Sequence, residues 1–348
     1  MTSLIQVERK IFIPLFFVKL EEIFETKFDK PKFVPPVTFH TIEEQTPPLE
    51  VSDAVFEIKL FPFNGQDLAQ LESFNDCFPV KSLEQGYDKF YFDRAQSAIL
   101  FTITESYPQA PGVDILIKTN NSLYEHDLIS AFLRALKLYD DTEPHYLRGY
   151  HSKNGELLSM QTWWPLKEMQ GTQMEINHKD FDEIICLSNL IWELNSKHRE
   201  STASRIFNLA VFYFLLSATQ TEYNVIFIFL MIAFEALFKE SDEESVSRAK
   251  ARFGKLIAET KAEYTEISKF ISEDPSEQGC CFLRNAIVHG NESVHNIRSE
   301  TFWTLKKYIR RGLRRVLEVI STGEVDLHNY YCSLDTYVET RFSGLPTK

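Results

Sequence analysis

Residues 284 to 289 read Arg-Asn-Ala-Ile-Val-His, followed at once by Gly290 and Asn291. A permanent cation, an amide and a titratable base on the last turns of one helix are the parts needed to break a phosphodiester without a metal. An α-helix advances about 100° per residue, so Asn285 and His289, four apart, share a face. Arg284 lies one step round from Asn285, whereas Leu283 and Ile287 belong to the side expected to pack inward. Gly290 suits the left-handed residue that ends a helix, which places His289 at a C-terminus whose unsatisfied carbonyls carry partial negative charge. Those carbonyls repel a phosphate, so one copy of this helix end is a poor anion site. A second copy across a two-fold axis would supply the missing cations.

The roles follow from what RNA cleavage requires: a 2′-hydroxyl loses a proton, the 5′-oxygen gains one, and the crowded phosphorane needs positive charge nearby. Histidine is the residue type that exchanges protons near neutrality, which assigns His289 to acid-base work. Arg284 can give a phosphate two hydrogen bonds, and Asn285 can hold the phosphate or orient the histidine. The spacing alone is weak, because fifteen Arg and nine His in 348 positions give an Arg followed five residues later by His about 0.4 times per chain by chance. The structural alternative makes Arg284 a surface ion-pair partner and His289 a helix C-cap.

Context adds to the spacing. Ala233-Phe234-Glu235-Ala236-Leu237-Phe238, then a basic, Ser-rich segment at 245–255, then Phe282-Leu283-Arg284-Asn285-Ala286-Ile287-Val288-His289-Gly290 occur in an order that resembles the Apea-like branch of the HEPN superfamily. The resemblance covers about the last 170 residues, and more loosely residues 123–165. The family motif of Arg, a polar residue, a spacer and His falls on Arg284, Asn285 and His289. One departure is visible: members often carry an aromatic residue three before the Arg, where this chain has Cys281. The resemblance implies a helical domain that dimerises so that two motifs face each other. In many members it also implies metal-independent endoribonuclease activity in defence or toxin systems, which brings an antitoxin or regulatory protein into view as a partner. Glu235 interrupts an apolar helix face and needs a partner of its own: either a salt bridge that positions Arg284, or an ordinary core pair or solvent-reaching acid.

The elements that must position these groups are legible in outline. With 348 residues and 44% hydrophobic content the chain can bury a sizeable core, in two domains or one large elaborated one. Period-two alternation predicts strands at 55–61, 98–104 and 113–118, punctuated by Pro and Gly, in a module that is β-rich to about residue 120. A helix is predicted over 123–139 with a stripe of Leu128, Leu133, Phe132 and Leu136. A polar connection then runs to Trp163-Trp164-Pro165 and reads as a hairpin. Further helices are predicted at 180–197, 202–218, 222–239, 245–260, 263–272, 278–289 and 299–321. The expected fold class is therefore α+β: an N-terminal mixed module over 1–175 and a helical Apea-like HEPN domain over 176–345.

Composition narrows the partners. A net charge of -13 argues against a protein that coats nucleic acid indiscriminately, so any RNA site must be local. The strongest basic cluster is at 306–315, where Lys306, Arg310 and Arg314 form one row and Lys307, Arg311 and Arg315 another. Leu305, Ile309, Leu313, Val316, Leu317 and Ile320 make its buried stripe. The cationic rows could track RNA phosphates, or could be a solvated face or a dock for an acidic protein.

Five cysteines without a Cys-x-x-Cys pair fit a reducing cytoplasm, and Pro14 and Lys19 make the apolar run at 11–20 a poor secretory signal. The apolar runs at 209–218 and 225–234 are each about half the length of a membrane span, so no membrane is expected. No metal-ligand spacing and no Gly-rich phosphate loop occur, and no cofactor is expected. The sequence reads best as an HEPN-type endoribonuclease acting as a homodimer. Its rival is the same helical module holding RNA, nucleotide or a protein without cutting.

Overall fold

The computed structural model describes residues 4–29, 53–64, 94–108, 125–140, 145–146, 148–154, 156–162, 173–197, 201–220, 222–238, 246–289 and 297–321, with Leu327, Tyr330 and Tyr331. The chain forms two compact units, Met1–Ile185 and Cys186–Lys348. The class is mixed α and β, with strands concentrated in the first unit and helices in the second.

In the first unit, β1 (Leu4–Phe16), β3 (Phe24–Asp29), β4 (Asp53–Pro62), β5 (Ser97–Pro108), β6 (His145–Tyr146), β7 (Arg148–Lys153) and β8 (Glu156–Thr162) make an antiparallel sheet. Its order is β3-β4-β5-β1-β7-β8, with β6 also on β1. The strands predicted at 55–61 and 98–104 lie within β4 and β5, while 113–118 and Trp163-Trp164-Pro165 fall outside the described residues. β7 and β8 supply a hairpin within the polar connection.

β1, the spine of the sheet, carries no strand prediction, and the reason is physical. Residues 11–16 are all buried, so the strand is covered on both faces and shows a continuous apolar run instead of alternation. Pro14, which has no N–H to give, sits between the stretch of β1 that pairs with β7 and the stretch that pairs with β6.

One sheet face is buried across the middle of β1, β5 and β4. Ile11, Phe101 and Ile58 lie in register across β1, β5 and β4. The helix α1 (Glu125–Tyr139) covers them, with the Phe132 ring edge-on to Phe101 at 5.5 Å. The predicted stripe Leu128, Phe132, Leu133 and Leu136 is buried. Towards the end of that face the pattern breaks with a buried charged cluster. Arg9 Nε lies 3.2 Å from Glu105 Oε2, with side chains only 3% and 0% exposed. The Tyr107 hydroxyl donates to the same Glu105 oxygen at 2.9 Å, and burial with the adjacent carboxylate pushes its pKa well above the ordinary phenol range. Lys153, opposite Arg9 in β7, has its ammonium pKa lowered by burial and by the Arg9 charge, an effect that Glu105 partly offsets. Two cations thus lean on one carboxylate.

A short parallel pairing of β2 (Val18–Lys19) with β9 (Met174–Glu175) precedes α2 (His178–Lys197). The first turn of α2 is capped reciprocally by Asn177 and Asp180, and its Phe181 stacks on Phe24. The division at 185/186 therefore falls inside this helix, later than the expected 175/176.

The second unit contains α3 (Thr202–Ser217), α4 (Tyr223–Phe238), α5 (Val246–Ile257), α6 (Lys261–Phe270), α7 (Cys280–Val288) and α8 (Ser299–Ser321). All the helices predicted from residue 180 onward are present, with ends displaced by a turn or less. The apolar runs at 209–218 and 225–234 fall in α3 and α4, and among the described residues no helix is long and apolar enough to cross a membrane. Phe234, Phe238 and Phe253 pack ring against ring at 5.0–5.8 Å where α4 meets α5. Gly312 lets α8 reach that aromatic cluster: a Cβ there would meet the Phe253 ring at 3.1 Å and the Phe238 ring at 3.4 Å.

The buried cluster of the first unit generates a stability prediction. Glu105→Gln removes the carboxylate charge that faces Arg9 and Lys153 and should cost about 3–5 kcal/mol, read as a shift of denaturant midpoint. Combining Arg9→Met with Glu105→Leu should recover most of that loss. A Glu105→Gln midpoint equal to the parent's would show that the pair is not needed for folding.

Candidate active site on helix α7

The start of α7 is fixed by main chain. Gly279 is its N-cap residue, and a Cβ at that position would meet the Ser272 backbone N and O at 2.5 Å and the Lys269 carbonyl at 2.8 Å. No residue with a side chain fits that approach. The Phe282 N–H then donates to the Ser272 carbonyl at 3.2 Å, tying the first turn of α7 to the end of α6. The inward face holds Cys280, Cys281 and Ala286. Leu283 and Ile287, expected to pack inward, are only half-buried, because the approach to Ser272 rotates the cysteines into the core instead.

Burial pushes the Cys281 thiol up to about 12, and the carboxylates of Glu273 and Glu235 add to the effect, against Lys250 and Arg284. Burial likewise raises the fully buried Cys280 thiol well above its ordinary value. Both remain thiols at neutral pH and are poor nucleophiles.

Arg284 is held on two sides. Its Nη1 donates to Asn285 Oδ1 at 3.0 Å. Its Nη2 lies 3.4 Å from one oxygen of Glu235 and 3.5 Å from the other. A single nitrogen placed between two oxygens at those lengths is a loose contact, not a two-nitrogen fork. The Arg284 and Glu235 side chains are 34% and 24% exposed, so the guanidinium can still be reached from solvent. Of the alternatives for Glu235, the structure has the one in which it pairs with Arg284.

His289 is the C-cap residue of α7, its N–H bonded to the Asn285 and Ile287 carbonyls. Its side chain is exposed and, among the described residues, makes no hydrogen bond or ion pair. Gly290 and Asn291 lie outside the described residues. Arg284, Asn285 and Glu235 are therefore brought together, with His289 at the open end of the same nine-residue helix.

The basic helix corrects its expectation. The stripe of Leu305, Ile309, Leu313, Val316, Leu317 and Ile320 is buried, but so are Lys306 and Arg310, at 3% and 4% exposure. Lys306 Nζ lies 5.4 Å and 5.6 Å from the Trp303 and Phe302 rings, and the Arg310 guanidinium lies 5.4 Å from the Phe214 ring. Aromatic faces and long aliphatic stems let both cations sit inside. Arg311 joins three helices, with Nη1 2.6 Å from Glu263 Oε1 and Nη2 2.6 Å from the Ile257 carbonyl. Arg315 pairs with Glu318 at 2.7 Å and Arg314 is half-buried, which leaves Lys307 and Arg315 as the exposed cations of the six. The row of Lys306, Arg310 and Arg314 thus has two of its three cations inside the protein, and the row of Lys307, Arg311 and Arg315 keeps two at the surface.

Among the described residues, no three of His, Cys, Asp and Glu converge to hold a metal ion. In comparisons with known proteins, no family model, no curated protein and no solved structure matches the chain.

The Arg311 junction predicts a pH dependence. Burial opposes ionisation of Glu263, but the Arg311 and Glu259 N–H hydrogen bonds outweigh it and hold the carboxyl below its ordinary value. A depressed carboxyl stabilises the fold above its unfolded pKa, and that contribution is lost as pH falls through the folded one. Arg311→Met should lower the melting temperature by on the order of a few degrees at pH 7. The gap to the parent should narrow as Glu263 protonates. Melting curves that stay equally far apart from pH 7 into the acid range would rule the pair out as its source.

Proposed function

We propose that the chain is a metal-independent endoribonuclease of HEPN type, cleaving RNA by attack of the 2′-hydroxyl on the adjacent phosphate. The observation that carries the reading is a reachable guanidinium, held by Glu235 and Asn285, on the same short helix that ends in an exposed His289. In this reading Arg284 leaves its loose contact with Glu235 to take a phosphate oxygen, which lies in a stronger, two-bond geometry. Asn285 follows through its bond to Nη1. His289 exchanges the proton with the 2′- or 5′-oxygen.

One copy supplies one histidine and a guanidinium whose charge is already offset by Glu235. The reading therefore calls for a homodimer in which two motifs face each other and the two histidines divide the base and acid roles. Exposed apolar side chains suit it: Leu209, Phe212 and Val225, on α3 and α4, are 49%, 49% and 38% exposed, with the exposed Arg205 on the same row of α3 as Leu209 and Phe212. The setting would be cytoplasmic, in a defence or toxin-like role restrained by an antitoxin or regulatory protein. A second reading, a helical module that binds RNA, nucleotide or protein without cutting, is favoured by one observation: Glu235 already occupies Arg284.

Incubation with total cellular RNA in the presence of a chelator should yield new ends bearing 2′,3′-cyclic phosphate. His289→Ala and Arg284→Ala should each lower the rate by about 100-fold or more. Either variant, folded by circular dichroism yet cutting at the parental rate, would remove its residue from the mechanism. Mixing His289→Ala chains with the parent should lower the rate per parental chain, because a mixed dimer keeps one His289 where the two proton transfers use two. Cleavage by a strictly monomeric protein would refute the shared site.

A further inference from the structure

The last carbonyls of α4 are orphans of the helix, and in most helix ends water or a nearby cap takes them. Here they are taken inside the protein by two distant side chains. Tyr331, near the C-terminus, donates its hydroxyl to the Leu237 carbonyl at 2.5 Å. Arg252, on α5, donates Nη1 to the Phe238 carbonyl at 3.3 Å. The guanidinium lies 5.4 Å from the centre of the Tyr331 ring, and that ring in turn lies 5.9 Å from the ring of Phe238. Arg252 and Tyr331 are each 1% exposed. A buried cation at a helix C-terminus, stacked on an aromatic ring, complements the partial negative charge there.

Glu235 lies less than one turn before these two carbonyls, on the same helix. A helix end is stiff over that distance, and a slip of one residue turns a side chain by about 100°. The contact from Glu235 to Arg284 is loose, at 3.4–3.5 Å, so it has little reserve against such a turn. We infer that Arg252 and Tyr331 are positioning residues for the motif: by clasping the end of α4 they set where Glu235 stands, and through Glu235 where Arg284 points. The C-terminal segment that carries Tyr331 thereby becomes part of the site without touching the substrate. The kinetic half of this inference rests on the ribonuclease reading above; the structural half does not.

Tyr331→Phe keeps the ring and its packing and deletes only the hydroxyl. It should lower kcat for RNA cleavage by about 10-fold, since small misplacements of a charged group are costly to rate. In a Glu235→Gln background the same change should lower kcat no further, while its effect on melting temperature should be equal in both backgrounds. A purely structural tyrosine would give the opposite pattern: a lower melting temperature with kcat unchanged, or equal losses of kcat in both backgrounds, and either result overturns the inference. A readout independent of RNA is the nitrogen-15 NMR signal of the Arg284 side chain, identified by its absence in Arg284→Lys. Tyr331→Phe should shift that signal in the same direction as Glu235→Gln, and an unmoved signal overturns the clasp even if the protein cuts no RNA. Arg252→Lys, which keeps the charge and loses the planar fork, provides a second variant for both measurements.

Discussion

An almost wholly apolar helix with a single carboxylate near its end sets the terms for the second unit. In the sixteen residues of α4 the only charge is Glu235, and no other element of this unit is so apolar. Burying α4 brings in the rings of Phe234 and Phe238, and with them α5 and α8. It also brings the carboxylate partly out of water, where a lone charge is unfavourable. Arg284 answers it. The helix that carries the motif therefore meets α4 through the same contact that orients the guanidinium.

The treatment of positive charge elsewhere in the unit is consistent with that economy. In an acidic chain, exposed cations would be expected to meet carboxylates in water, where such pairs contribute little. Several are instead drawn inside: Arg252 over Tyr331, Lys306 beside Trp303, Arg310 against Phe214. Each buries a long aliphatic stem and gives its charge a ring face. Arg311 closes the junction of α5, α6 and α8 by meeting a helix-end carbonyl and a helix-start carboxylate together. These cations serve the interior, whereas Arg284 on α7 stays partly accessible.

How far the sequence discloses this depends on which force places each group. Helix periodicity places all the helices of the second unit, and alternation places β4 and β5, because in both cases one face meets water and the other does not. β1 escapes that logic because its apolar run at 11–16 is covered on both faces. The spacing of Arg284, Asn285 and His289 correctly puts them on one helix, and the lone acid in an apolar run correctly marks Glu235 as needing a partner. The burial of Lys306 and Arg310 is not legible in the rows at 306–315, since a lysine or arginine that snorkels over an aromatic ring has the same sequence signature as one in solvent. Arg9 with Glu105, and Arg252 with Tyr331, join residues far apart in the chain. Only the folded register brings them together.

The attachment of α7 at Gly279 has a consequence for how this protein can change over time. The motif helix takes its origin from main chain meeting main chain, so the place where it starts is set by backbone and not by the side chains that lead into it. Residues 273–278, which lead into it, are all exposed. That rim can change at its exposed side chains while the helix behind it holds its bearing, within the limits set by the Asp274–Ser276 turn and the positive φ of Gln278. Variation in what the site admits and constancy in what it does are thus assigned to different atoms, and the two can drift at different rates.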